Sequence, residues 1–311
     1  FATEVTSTSA LRGYMYLKTI RQYALGNFKD FTRAITFDPA MLQYLNGNLN
    51  SKQSPDENYA RELQELFTLG KGPASGYTED DVKAAAKVLT GWRTREVVTQ
   101  ATAPRRGRWE SYFDATRHDT TNKQFSAFFN NTIINGSPTA NTEANARREI
   151  DELLNMIFAQ EEVSKFICRK LYTFFVYYKI DAQIDADVIT PLAAIFRQSN
   201  YNIVPVLRAL LLSEHFFDTA NQGCYIKSPM DYTIGLSREL GLGFAPATDY
   251  AAQYASWRAL NATNGGSSQG QDILDPPSVS GWPAYYQTPN FHEMWINTDT
   301  YMRRIKFADQ L

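Results

Sequence analysis

The chain has 311 residues, 43% of them hydrophobic, enough to bury a substantial core in one large domain or two closely packed ones. Lys and Arg number 31 against 33 Asp and Glu, a net charge of −2 with no block of like charges, which argues against a nucleic-acid partner because phosphate binding needs a concentrated basic face. The most apolar stretch, Leu171 to Tyr178, is far shorter than the roughly 20 residues of a membrane span. It reads as a buried core helix, and no membrane span is expected in this fragment.

The chain begins at Phe1 without a charged and apolar leader, which reads as a processed or truncated product. Helical spacing follows over Ser9 to Leu25, Phe28 to Phe37 and Ala40 to Leu45, separated by Gly26-Asn27 and Gly47, with Pro39 suited to a first turn. Pro55 and Gly70 bracket a helix from Asp56 to Leu69. Thr78 can cap the next helix, with Asp81 completing a variant capping box and Val82, Ala85, Ala86 and Leu89 on one face.

From Trp92 the helical period disappears. Arg95 to Thr99 and Arg108 to Phe113 look like two strands about Pro104 and Gly107, a β-hairpin or irregular insertion over about 93–129. Helices resume at Thr142 to Ala159, Glu161 to Tyr178, Asp185 to Arg197 and Ile203 to Phe217, where Pro191 and Pro205 each mark a kink or a first turn. Further helices are expected at Pro229 to Leu240, Asp249 to Leu260 and Asn297 to Gln310. Ala262 to Asp272 reads as a flexible loop, and the prolines of Pro276 to Pro283 disfavour regular structure. The fold class is mainly α: a single multi-helix globular domain over 1–311 with one small hairpin or irregular insertion.

Chemistry-bearing residues gather in three places. On the Asp56 helix a 100° step sets Asn58, Glu62 and Glu65 on one stripe, with Arg61 adjoining. Two carboxylates at close range push their pKa values apart, as acid/base catalysis requires, although a solvated charged face has the same spacing. His118 and Asp119 lie in an irregular segment where catalytic groups are often displayed, and where a hydrogen-bonded structural histidine sits equally well. His215 reads as a helix-end residue near the core. Within fourteen residues, Trp282, Tyr285, Tyr286, Phe291 and Trp295 interleave with Gln287 and Asn290, with Asn297 just beyond. Aromatic faces and planar amides suit sugar stacking, and the same rings suit the pinning of an irregular segment. Cys168 and Cys224 are the only cysteines; they read as two buried thiols without the companions of a zinc site, and no metal or cofactor is expected. Phosphate loops, dinucleotide fingerprints, the Gly-x-Ser-x-Gly elbow and the His-Glu-x-x-His helix are all absent from the sequence.

The run Asn58-Tyr59-Ala60-Arg61-Glu62-Leu63-Gln64-Glu65-Leu66-Phe67-Thr68-Leu69-Gly70, followed by Gly76-Tyr77-Thr78 and Leu89-Thr90-Gly91-Trp92, resembles the signature of domain-of-unknown-function family 1800. His118-Asp119 with Lys123, Ile226-Lys227-Ser228-Pro229, Pro276 to Pro283 and Trp295-Ile296-Asn297 extend the resemblance over nearly the whole chain. It implies a bacterial protein, often exported to the periplasm or beyond and often encoded beside a sulfatase-like partner, with no agreed reaction. It also implies that this chain is the C-terminal portion of a longer member, and Thr121 stands where a glycine is expected.

Two functional expectations follow. The first is a binding or assembly protein of the cell envelope or extracellular space, using Arg61, Trp92, Trp282, Tyr285 and Trp295. The second is a hydrolase of envelope or extracellular glycans, using Glu62 or Glu65 with His118 and Asp119. Arg61 is further expected to donate to carbonyls or carboxylates, and its helix and Trp92 to meet the C-terminal aromatic segment.

Overall fold

The computed structural model describes residues 9–102, 106–262, 264–287 and 291–311, which leaves Pro104 and Asn290 outside the described residues. It is mainly helical, with two small antiparallel two-stranded sheets. Among the described residues the chain divides into two compact units: an N-terminal unit within 9–175 and 179–216, and a C-terminal unit within 176–178 and 217–311.

In the N-terminal unit, side chains that satisfy orphan amides set the first helices. Helix α1 spans Ala10–Tyr23. Asn27 then accepts from the amides of Lys29 and Asp30 to open α2 (Phe28–Thr36), and Asp38 accepts from Ala40 and Met41 to open α3 (Pro39–Tyr44). The signature run forms α4 (Asn58–Glu62), which passes without a break into a π-helical turn, Leu63–Thr68. Thr68 Oγ donates to the Leu63 carbonyl inside that turn. The capping box at Thr78 and Asp81 opens α5 (Glu79–Val88), as the sequence implied. Asp81 also accepts from the amide and hydroxyl of Ser126, so the cap ties α5 to a distant loop.

The insertion is a hairpin. Strand β1 (Trp92–Gln100) pairs antiparallel with β2 (Arg106–Phe113) from Trp92 opposite Phe113, with a register shift between Val98 and Gln100. A second short pair, β3 (Lys123–Gln124) and β4 (Ile133–Ile134), follows.

Helices α6 (Glu143–Phe158) and α7 (Glu161–Phe175) bury Ile150, Leu153, Ile157, Val163, Ile167 and Cys168. The apolar end of α7 departs from the expectation of a core helix through Tyr178, because the helix stops at Phe175 with Phe174 and Phe175 exposed. Helix α8 (Ala182–Ile184) runs through a second π-helical turn, Asp185–Ile189, into α9 (Thr190–Gln198). Pro191 explains the slip: it lacks an N–H and its ring crowds the carbonyl one turn back, so the ladder widens where the proline enters. Helix α10 (Ile203–Leu211) takes Pro205 in its first turn and ends earlier than the spacing suggests. Beyond it His215 bonds Tyr172 Oη at 2.9 Å.

In the C-terminal unit, Ser228 caps α11 (Pro229–Glu239), Asp249 caps α12 (Tyr250–Asn261), and Asn297 with Thr300 forms a capping box for α13 (Thr298–Asp309). Arg304 joins α13 to α11's start by donating to the Lys227 carbonyl, while Tyr232 Oη donates to the Arg304 carbonyl. Trp282, Ala284 and Trp295 make a small core with Ile226 and Tyr285 packed against it. The stretch expected to be a flexible loop is instead compact: Gly266, Ser267 and Gln271 donate backbone bonds to Leu260, Asn261 and Gly266, and Gln269 and Gln271 are buried. Its glycines allow the chain to fold back on the end of α12, which composition alone cannot distinguish from mobility.

Cys168 is buried and Cys224 half-buried, both as free thiols, so only the first matches the expected burial. Burial pushes the Cys168 thiol up to about 12, which leaves it inert at neutral pH. No helix among the described residues is long and apolar enough to cross a membrane.

Candidate functional site

The residues singled out in the sequence fall into three settings. The first is a knot of buried polar groups behind the hairpin. Gly91 has φ +88°, and a Cβ there would sit 3.0 Å from the Asp114 carbonyl and from His118 Cβ. Only glycine fits this left-handed turn and lets the His118 loop come so close. His118 Nδ1 lies 2.9 Å from the Thr90 carbonyl, and the Asp119 amide donates to Thr90 Oγ. Lys123 Nζ donates at 2.6 Å to Glu149 Oε2 and at 2.6 Å to the Asp119 carbonyl. His118 Nε2 faces the same Glu149 oxygen at 3.5 Å, beyond hydrogen-bond geometry. Thr90, His118, Lys123 and Glu149 are each at most 2% exposed. Thr121, in the expected glycine position, turns its amide and hydroxyl onto Asp119 Oδ1 and thereby fixes the loop. Trp92 is buried beside this knot, ringed by Phe37 and Phe113 with Arg147 stacked 4.8 Å from its centroid.

The second setting is the surface of α4 and its π-helical turn. Arg61 forks onto both carboxylate oxygens of Glu79, at 2.8 and 2.6 Å, and reaches Glu57 at 3.1 Å. Its donors therefore go to carboxylates of its own unit. The hydrogen bond with Arg61 holds the Glu79 carboxyl below its usual range, while burial and then the neighbouring Glu65 raise that of Glu62. Glu65 pairs with Lys71 at 3.3 Å. Burial, followed by the charge of Glu65, pushes Tyr77 up to about 12. Glu62 and Glu65 thus sit together, half-buried, while His118 and Asp119 belong to the buried knot with a separate set of partners.

The third setting lies in the C-terminal unit. A cavity of about 350 Å³ is walled by Trp282 and Trp295, with Gln269, Asp272, Asp275 and Asn297 as its polar groups. Tyr285 stands behind this wall: its ring packs on both tryptophans and its hydroxyl accepts from Gln271. Gly281, at φ +98°, turns the chain so that Trp282 enters the wall, much as Gly91 turns it before Trp92. Two buried polar atoms on cavity-lining residues, Gln269 Oε1 and Trp295 Nε1, have no hydrogen-bond partner among the described residues. Such atoms are not confined to this wall, since Trp92 Nε1, His118 Nε2 and Glu149 Oε1 of the knot are likewise buried without a hydrogen-bond partner among the described residues. No cluster of three or more His, Cys, Asp or Glu able to hold a metal ion occurs among the described residues.

Glu149, Gln269, Asp272 and Asp275 escaped the sequence reading. Glu149 had a signal: it falls on the face of α6 that also carries Ala146, Ile150 and Leu153, where a carboxylate needs a buried partner. The cavity residues had none, since they come from a loop whose folding the sequence did not disclose.

No curated protein and no solved structure matches the chain. A family model described as "Protein of unknown function (DUF1800)" matches residues 1–311, the whole chain, and the protein therefore belongs to that family.

Proposed function

We propose that the protein is a binding protein for neutral glycans, taking a sugar into the cavity walled by Trp282 and Trp295. The observation that carries this reading is a cavity lined by two tryptophans together with the polar side chains of Gln269, Asp272, Asp275 and Asn297. Sugar rings offer an apolar C–H face to an indole and hydroxyls that both donate and accept, which suits a wall of two tryptophans with amides and carboxylates beside them. Asp272 and Asp275 on the same wall repel uronic, sulfated or phosphorylated sugars, which restricts the class to neutral ones. Action in the bacterial envelope or extracellular space, beside a sulfatase-like partner, belongs to the same proposal and rests on the family resemblance.

The test is a titration of the intact chain with β-1,4-linked oligosaccharides of glucose and of N-acetylglucosamine, read by tryptophan fluorescence. Saturable binding, weakened at least tenfold by Gln269→Leu with an unchanged melting temperature, is expected. No response to either series, or equal binding by the Gln269→Leu protein, contradicts the reading.

A second reading, glycan hydrolysis, draws on the neighbouring carboxyls of Glu62 and Glu65 at one surface, where burial and then the charge of Glu65 raise Glu62. Chromatography of the same oligosaccharides after incubation decides it: shorter products that vanish with Glu62→Gln support hydrolysis, and unchanged sugars remove it.

A further inference from the structure

We infer that the ligand is an extended glycan chain of several sugar units, which lies along α12 and enters the cavity by its end; this rests on the cavity being a sugar site. Helix α12 exposes three aromatic rings, Tyr250 at 79%, Tyr254 at 63% and Trp257 at 53%. They stand at i, i+4 and i+7, and Asn261 follows at i+11, so a 100° step sets all four on one narrow stripe. The inward face of α12 is a different one, carrying Ala252, Gln253, Ser256 and Leu260. Rings aligned in this way contribute nothing to the unit's core, and a contiguous exposed aromatic stripe marks an interaction surface.

What identifies the occupant is where the stripe ends. Asn261 Nδ2 donates to Asp272 Oδ1 at 2.8 Å, and Asp272 is a wall of the cavity. Asn261, the last residue of α12, thereby ties the end of the stripe to the cavity wall. From Tyr250 to Asn261 the helix rises about 16 Å at 1.5 Å per residue, several times the length of one sugar ring. The rings are neutral and succeed one another at roughly one helical turn, so each offers a flat face to a successive sugar. A peptide or a nucleic acid would meet neither backbone hydrogen-bonding groups nor positive charge along this stripe. A neutral, rigid, repeating chain with apolar faces meets what is there.

Calorimetric titration of the intact chain with the two-, four- and six-unit members of the glucose and N-acetylglucosamine series tests the inference. Affinity is expected to rise at least tenfold from the two-unit to the six-unit sugar. The Tyr254→Ala and Trp257→Ala variants, altered at exposed positions, should each lose about fivefold to tenfold in affinity for the six-unit sugar and none for the two-unit sugar. Affinity that does not depend on chain length, or variants that weaken both sugars alike, overturns the inference while leaving the cavity reading standing. If neither sugar binds at all, both fall together. A change in oligomeric state of the Trp257→Ala protein on size-exclusion chromatography assigns the stripe to a second copy of the chain and likewise overturns the inference.

Discussion

The buried knot of the N-terminal unit and the cavity of the C-terminal unit use the same vocabulary of carboxylates, amides, hydroxyls and tryptophan, yet treat it in opposite ways. In the knot, Lys123 closes on Glu149 and on the Asp119 carbonyl, and Thr90 serves both His118 and Asp119, while His118 Nε2 and Glu149 Oε1 stay buried without a hydrogen-bond partner among the described residues. In the cavity, Gln269, Asp272, Asp275 and Asn297 line a hollow of about 350 Å³ beside two tryptophans. Polar groups closed on one another hold a fold together; polar side chains lining a hollow are placed to meet a ligand. His118 Nδ1 lies on the Thr90 carbonyl and Asp119 is held by Thr90 and Thr121, with His118 Nε2 turned toward Glu149 at 3.5 Å.

If the knot is structural, its largest weakness is the loss of one charge. Glu149→Ala would leave buried Lys123 with only the Asp119 carboxylate, 4.0 Å away, and should lower stability by about 3–5 kcal/mol in urea denaturation. The double variant Glu149→Leu, Lys123→Met removes both charges and should recover most of that loss. A single variant as stable as wild type would show that the knot is not what holds the loop.

Next in size is Gly91→Ala. A φ of +88° together with the close approach of His118 and Asp114 should cost about 1–3 kcal/mol. The matched change Gly281→Ala meets no atom within 4 Å and should cost only its backbone share, about 1 kcal/mol. Equal losses at the two glycines would remove the steric part of the difference.

The C-terminal unit should carry a pH dependence of its own. His292 accepts from the Ile226 amide through Nδ1, with Tyr225 stacked on it and Tyr178 against its edge, so the neutral ring is the form this site suits. Burial lowers its pKa, with Glu293 opposing in part. The unfolded chain therefore binds the proton more readily, and the contribution of His292 is complete above about pH 6.5 and falls away as the pH drops through the lowered value. Melting temperatures between pH 7.5 and pH 5 should decline in wild type and decline less steeply in His292→Phe. Parallel profiles would place the acid sensitivity elsewhere.

The smallest effect belongs to Arg61→Lys. Its partners Glu57 and Glu79 are both solvent-accessible, so loss of the two-pronged contact should cost about 0.2–1 kcal/mol by thermal melt. A loss several times larger would mean that the signature helix depends on this ion pair as the loop depends on Lys123 and Glu149.

Much of the N-terminal unit was legible because local rules and tertiary packing agree there. The Thr78 and Asp81 box, Pro39 at a first turn and the break in helical period at Trp92 each mark a local conformation that the fold then uses. Legibility ended where a choice depended on distant atoms. Nothing near Phe174 says that two aromatic residues at the end of an apolar helix face solvent, and nothing in the glycines of 264–272 says that they close on the end of α12. The candidate site followed the same line: Trp282 and Trp295 could be read as sugar-facing rings, whereas Gln269 and Asp272 became wall residues only once their loop had folded.

Amide hydrogen exchange of the intact chain, with and without saturating six-unit oligosaccharide of the series that binds, tests the division of labour most directly. Slower exchange at residues 264–272 and 291–300, with no change at 114–124 and 143–158, is the predicted result. Protection that appears instead at 114–124 or around Glu62 and Glu65, with the cavity segments unchanged, would contradict it.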